Sequence, residues 1–161
     1  YPLLLESSNE AAAAISEFLG QDHFVSLMNR KAQALGMKNS HFADSSGMDA
    51  GNVSSAEDLF TLSQYLYHNR SFVLKLTTGR LNTSAYGSPE FAGLGNFNLF
   101  ANNPDFIGGK VGKSNSSKET IISIFSLPAN DEKRPVAIIV FGTDDSKKDV
   151  ETILDYLKTK Y

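Results

Sequence analysis

The 161-residue chain contains no cysteine. That excludes a disulfide framework, a thiol nucleophile and any thiolate metal site, zinc fingers included. It also lacks an excess of positive charge. Fifteen Lys and Arg against 18 Asp and Glu leave a formal net charge of −3, so there is no basic field to hold nucleic acid or an anionic membrane, and neither partner is expected. No apolar run approaches the roughly 18 residues needed to span a bilayer. The opening residues, Tyr1-Pro2-Leu3-Leu4-Leu5-Glu6, carry neither the charged flank nor the cleavage site of a signal peptide. The chain is expected to be soluble, and its start directly on an apolar segment reads as a cut within a domain. What is present, 41% hydrophobic and 11% aromatic residues, suffices for one core. Without repeats, low-complexity tracts or a linker, residues 1–161 read as a single domain.

Helical patterning dominates the first half. Leu3 to Leu5 can close a preceding helix, and residues 10–19 form another, capped by Asn9 and stopped by Gly20. Phe24, Leu27, Met28, Ala32 and Leu35 recur at helical spacing over residues 22–35, before the left-handed stop at Gly36. Residues 37–53 read as a loop packed through Phe42 and Met48. Ser55-Ala56-Glu57-Asp58 matches a capping box, ahead of an apolar stripe of Leu59, Leu62 and Leu66. A short helix follows over 72–76, then short strands and long loops over 77–103 with isolated aromatics Tyr86, Phe91, Phe97 and Phe100. From Asp105 the period changes, and residues 106–112, 120–127 and 136–142 read as an antiparallel meander. A last helix, capped from Asp144, Asp145 and Ser146, places Val150, Ile153, Leu154 and Leu157 on the sheet. The expected class is α+β.

Few residues are candidates for chemistry. His23, His41 and His68 stand at no ligand spacing, so no metal and no other cofactor is expected. Asp144-Asp145 suit a helix cap better than an acid pair. The stretch Phe106-Ile107-Gly108-Gly109-Lys110-Val111-Gly112-Lys113-Ser114 sets a lysine between glycines on a strand, where a ligand can approach the backbone and a fixed charge can meet a carboxylate. Gly112-Lys113-Ser114 copies the end of a phosphate loop, yet that pattern needs glycine where Ile107 stands and a helix where the β-branched run from Thr120 follows.

Ser7-Ser8-Asn9, followed 103 positions after Ser7 by Lys110-Val111-Gly112, resembles the second and third motifs of the penicillin-recognising serine acyl transferases, whose set is Ser-x-x-Lys, Ser-x-Asn and Lys-Thr-Gly. Residues 24–32, 35–42 and 54–59 are similar to the low-molecular-mass D-alanyl-D-alanine carboxypeptidases. The resemblance implies a β-lactamase/transpeptidase-like fold, incomplete at the N-terminus: a helical subdomain beside an antiparallel sheet, with a C-terminal helix packed on the sheet. It implies a cleft in which Ser7, Asn9 and Lys110 are catalytic and Val111, Gly112, Lys113 and Ser114 bind substrate, the Lys113 N–H as an oxyanion donor. Peptidoglycan stem peptides ending in D-Ala-D-Ala and β-lactams are the implied ligands, and an extracytoplasmic location goes with them.

Two departures qualify the resemblance. Only six residues precede Ser7, so the nucleophile motif Ser-x-x-Lys is absent, and the chain alone is expected to be inactive. Val111 stands where the family has threonine, removing a hydroxyl that would hold a terminal carboxylate and weakening β-lactam recognition; Ser114 could compensate in part. A non-catalytic relative that binds cell-wall peptide or a protein, and a β-lactamase, are the alternative readings. Apolar surface and an open sheet edge left by the missing part would favour self-association.

Overall fold

The computed structural model describes residues 1–80, 93–129 and 132–160. Helices α1 (Pro2–Leu5), α2 (Asn9–Leu19), α3 (Gln21–Ala34), α4 (Ala56–Asn69) and α5 (Ser71–Thr77) precede strands β1 (Phe106–Ser114), β2 (Lys118–Ala129) and β3 (Glu132–Thr143), and helix α6 (Ser146–Lys160) ends the order. The three strands form an antiparallel sheet in chain order. Helix α6 lies on one face of it, over β2 and β3, while α4 and α5 cover the other. This is the α+β arrangement that the sequence predicts.

The alternation of β2 explains the layering. Ile121, Phe125 and Leu127 join Phe106, Ile138 and the α6 residues Val150 and Leu154 in one buried cluster, and Ile124 turns to the opposite face beside Phe60 and Tyr67 of α4. Phe100 completes the cluster, its ring edge-on to Phe125 at 5.3 Å, so one of the isolated aromatics of the glycine-rich stretch is core. Phe97 is exposed, residues 93–103 make turns and no strand, and Tyr86 and Phe91 lie outside the described residues.

Several local expectations are corrected. Ser8, not Asn9, caps α2: its Oγ accepts from Ala11 N at 3.0 Å, and Asn9 is the first helical residue. Ser55 caps α4 by accepting from Asp58 N, but Asp58 does not close a capping box. Its buried carboxylate accepts from Asn39 N and Ser40 Oγ, both at 2.7 Å, tying α4 to the loop after α3. Asp58 and Ser63 are the fully buried side chains of α4, and Leu59, Leu62 and Leu66 are half-buried. Met48 and Ile153 are exposed rather than packed. Asp145 caps α6 through Lys148 N, whereas Asp144 pairs with Lys118. The β2–β3 hairpin also runs on past Pro128 and Pro135. Prolines are tolerated there because β1 has already ended opposite Phe125 and β3 is an edge among the described residues.

What positions the site is the contact of α5 with β1. A Cβ on Gly108 would fall 2.6 Å from Leu74 O, and one on Gly109 would fall 2.2 Å from Ile122 O. Both are backbone atoms that cannot swing aside. A Cβ on Gly112 would meet nothing within 4 Å. Gly108→Ala is therefore expected to lower unfolding stability by about 1–3 kcal/mol, and Gly112→Ala by roughly 0.5 kcal/mol or less. Urea denaturation of the two variants checks this ordering, and equal losses would contradict it.

Candidate active site

The chain between α1 and α2 turns sharply at Ser7, whose φ of 57° is the left-handed conformation that side-chain-bearing residues seldom adopt. The turn lifts the Ser7 hydroxyl off both helices and leaves Ser8 free to cap α2. Across the cleft, β1 alternation sends the Lys110 side chain toward that turn. Lys110 Nζ donates to Ser7 Oγ at 2.6 Å and to the carbonyl of Val111. Residues 103 positions apart thus meet in one hydrogen bond. Burial of the ammonium holds the Lys110 pKa below the ordinary lysine value, and no acidic side chain forms an ion pair with it among the described residues. A lysine shifted in that direction exchanges protons with a neighbouring hydroxyl more readily than an exposed one.

Ser7, Asn9, Lys110, Val111, Gly112, Lys113 and Ser114 all line one open cavity of about 480 Å³, so the structure brings every sequence-predicted site residue together. Their side chains do different things. Asn9 is exposed on the helical wall. Val111 reaches the cleft and also packs on the core cluster beside its strand partner Ile121. Lys113 reaches across to its β2 partner Glu119 at 3.0 Å. Glu119 Oε2 accepts from both the backbone N–H and the hydroxyl of Ser146; those bonds and the Lys113 ammonium bring its pKa down to about 2. The Ser114 hydroxyl, read in the sequence as a partial compensation for the missing threonine, is engaged in the β1–β2 turn: Ser117 N donates to it at 3.0 Å and Ser117 Oγ lies 2.7 Å away.

A third wall went unread in the sequence. Ser46, Gly47 and Met48 face Gly112 and Lys113 across the cavity, and Asp44 holds them there. Its carboxylate accepts from Ser46 Oγ at 2.8 Å, Gly47 N at 2.7 Å, Met48 N at 3.2 Å, Asp49 N at 3.3 Å and Asn52 Nδ2 at 2.7 Å. Partial burial raises the Asp44 pKa, but the donated hydrogen bonds outweigh that and bring it to about 2. The signal was present as Asp44-Ser45-Ser46-Gly47, an Asx-turn composition. The histidines stay apart: His41 bridges Val53, and His68 stands edge-on to Tyr67. Among the described residues no group of three or more metal-ligating side chains exists.

A Ser-x-Asn turn on a helical wall facing a Lys-x-Gly edge strand, on an antiparallel sheet backed by a C-terminal helix, defines the β-lactamase/transpeptidase-like class. Residues 1–145 match the peptidase family model described as D-alanyl-D-alanine carboxypeptidase, and the chain belongs to that family. It is 37% identical over 105 residues to a D-alanyl-D-alanine endopeptidase of Pseudomonas aeruginosa, covering 62% of this chain and 33% of that protein. It is 30% identical to the carboxypeptidase DacD of Escherichia coli over 90% of this chain and 36% of that one. A penicillin-binding protein from Listeria monocytogenes, solved in its ampicillin-bound form, superposes with a TM-score of 0.80 at 26% identity, covering 96% of this chain and 63% of its own. The chain thus spans about a third of the length of these curated relatives.

The folded pKa of Asp44 is depressed from 3.8 to about 2, so its contribution to stability is complete above about pH 4 and is lost as pH falls through about 2. Carbon-13 titration of the Asp44 carboxyl should give that midpoint, with amide exchange of Gly47 and Asp49 accelerating over the same range. An Asp44 midpoint near 4 would contradict the arrangement.

Proposed function

We propose that the protein carrying this chain is a serine-type D-alanyl-D-alanine carboxypeptidase that trims peptidoglycan stem peptides through an acyl-enzyme, outside the cytoplasmic membrane. The observation that carries the reading is the 2.6 Å hydrogen bond between Lys110 Nζ and Ser7 Oγ at the floor of an open cleft. In acyl transfer the departing D-alanine amine must gain a proton as the C–N bond breaks. The Ser7 hydroxyl is placed to give that proton and to take another from Lys110, whose lowered pKa suits the exchange. Asn9 Nδ2 and Oδ1 can grip a peptide amide of the substrate. Gly112 leaves the strand open on the cleft side, so an extended peptide can lie along β1 as an added strand and reach the Lys113 N–H. The attacking serine is not among these residues, since no Ser-x-x-Lys occurs in the sequence; residues 1–161 supply the walls that bind the peptide and move the leaving-group proton.

A second reading, a non-catalytic relative that binds cell-wall peptide, draws support from Val111. Valine stands there in place of the family hydroxyl, and its side chain packs against the core. Fluorescent-penicillin labelling of the full-length protein decides between the two. The carboxypeptidase reading expects a covalent adduct that forms at least about 100-fold more slowly in Ser7→Ala. It also expects roughly 2–10-fold tighter pre-covalent binding in Val111→Thr, the gain from one restored hydrogen bond. No adduct in the wild-type protein, together with reversible binding of a D-Ala-D-Ala peptide, would establish the non-catalytic reading.

A further inference from the structure

We propose that Thr77 and Asn98 are positioning residues: their buried side chains join the helix that leads into Ser7 to the strand that carries Lys110, and so fix the span across which the two meet. This rests on the reading of Ser7 and Lys110 as the proton-transfer pair.

Neither residue touches the cleft, yet together they bridge its walls. Asn98, buried although it follows a glycine-rich stretch, has its Nδ2 at 2.9 Å from Leu4 O, Thr77 O and Asn96 Oδ1. Leu4 lies in α1, three residues before Ser7. Thr77 is the last residue of α5 and is equally buried. Its hydroxyl donates to Leu74 O at 2.6 Å and accepts from Gly109 N at 3.0 Å, and Gly109 immediately precedes Lys110. The path from Leu4 through Asn98 and Thr77 to Gly109 is buried in its bonds at Thr77 and Gly109 and part-buried in its bond at Leu4. Asn96 Nδ2 doubles it at Thr77 O, and Phe97 N, donating to Leu5 O at 2.8 Å, doubles it at α1.

The path is tight at its strand end. Gly108 already brings its backbone against Leu74 of α5, so β1 cannot slide inward to offset a lost bond; it can only move out. Outward movement lengthens the Lys110–Ser7 contact and admits water to an ammonium that burial now keeps short of it. Thr77 and Asn98 thus act on Lys110 without touching it. No local sequence pattern points to this role, because Asn98 and Leu4 are 94 positions apart and Thr77 and Gly109 are 32 apart.

The test reads Lys110 itself, by carbon-13 titration of lysine Cε in the full-length protein. Thr77→Val keeps the side-chain shape and deletes the hydroxyl; Thr77→Ser restores it. The Lys110 midpoint is expected to rise by about 0.5–1 pH in Thr77→Val, to stay at the wild-type value in Thr77→Ser, and Lys31 and Lys147 should not move in either. A folded Thr77→Val with an unmoved Lys110 overturns the proposal. Should Thr77→Val not fold, amide exchange in the wild-type protein decides. Gly109 N–H is expected to be as protected as Phe125 N–H, and exchange at the rate of an open loop overturns the proposal. The readout does not require turnover. Lys110 moving in a protein that never reacts with penicillin would remove the functional reading alone, and Lys110 unmoved in one that does react would remove the positioning role alone.

Discussion

A half-buried ammonium facing a serine hydroxyl is an expensive object, and the rest of this structure depends on keeping it in place. Among the described residues Lys110 has no carboxylate partner; its donors meet one hydroxyl and one carbonyl. Neutral oxygens compensate a charge only in part, so burial lowers the pKa rather than being cancelled. The arrangement holds only while the cleft walls stay at hydrogen-bond distance, because a wider cleft would hydrate the ammonium and return it to an ordinary surface lysine. Close packing of α5 on Gly108 of β1, the Thr77 hydrogen bond to Gly109 and the buried amide of Asn98 supply that distance from behind. In physical terms the site is a spacing, and the named motif residues are where the spacing is used.

The exposed end of β1 shows the same economy. Gly112 offers open space beside a strand that pairs on one side only among the described residues, which is what an extended ligand requires. Lys113 and Ser114 are occupied with Glu119 and the β1–β2 turn. Under the proposed reading, grip on a peptide there would fall to backbone groups, while the side chains keep the hairpin in register. Val111 fits this division, since one methyl-bearing flank serves the core cluster. A threonine of the same shape would serve it equally well and offer the cleft a hydroxyl in addition.

Much of this was legible because it is local. The antiparallel meander, the helices before it and the capping signals at Ser55 and Asp145 follow from spacing, and the motif pair Ser7–Asn9 and Lys110–Gly112 named both walls. What escaped reading is non-local or ambiguous between neighbours. Ser8 and Asn9 are both good caps, and only the left-handed turn at Ser7 decides that Ser8 takes the position. Asp58 has the composition of a capping box but finds Asn39 and Ser40 instead. The strands read over 120–127 and 136–142 stop short of Pro128 and Pro135, whose edge positions let the hairpin run on past them. The wall made by Ser46 to Met48 and the Asn98–Thr77 tie have no periodic signal, since each joins segments that the chain brings together only after the sheet and helices have packed.

The conformation of Ser7 is held by the protein's own bonds. A non-glycine residue at positive φ costs about 1–2 kcal/mol and persists where its surroundings over-determine it. Residues 4–8 meet that condition. Leu4 O accepts from Asn98 Nδ2, Leu5 O from Phe97 N, Glu6 Oε1 from Gly95 N at 2.9 Å, Ser8 N donates to Pro2 O, and Ser8 Oγ is engaged as the α2 cap. With both flanks fixed in this way, relaxing Ser7 to an ordinary helical or extended φ would break several bonds to relieve one strained residue. The left-handed turn is thus the lower-energy state of the whole segment, and the hydroxyl it presents to Lys110 is held by the fold itself.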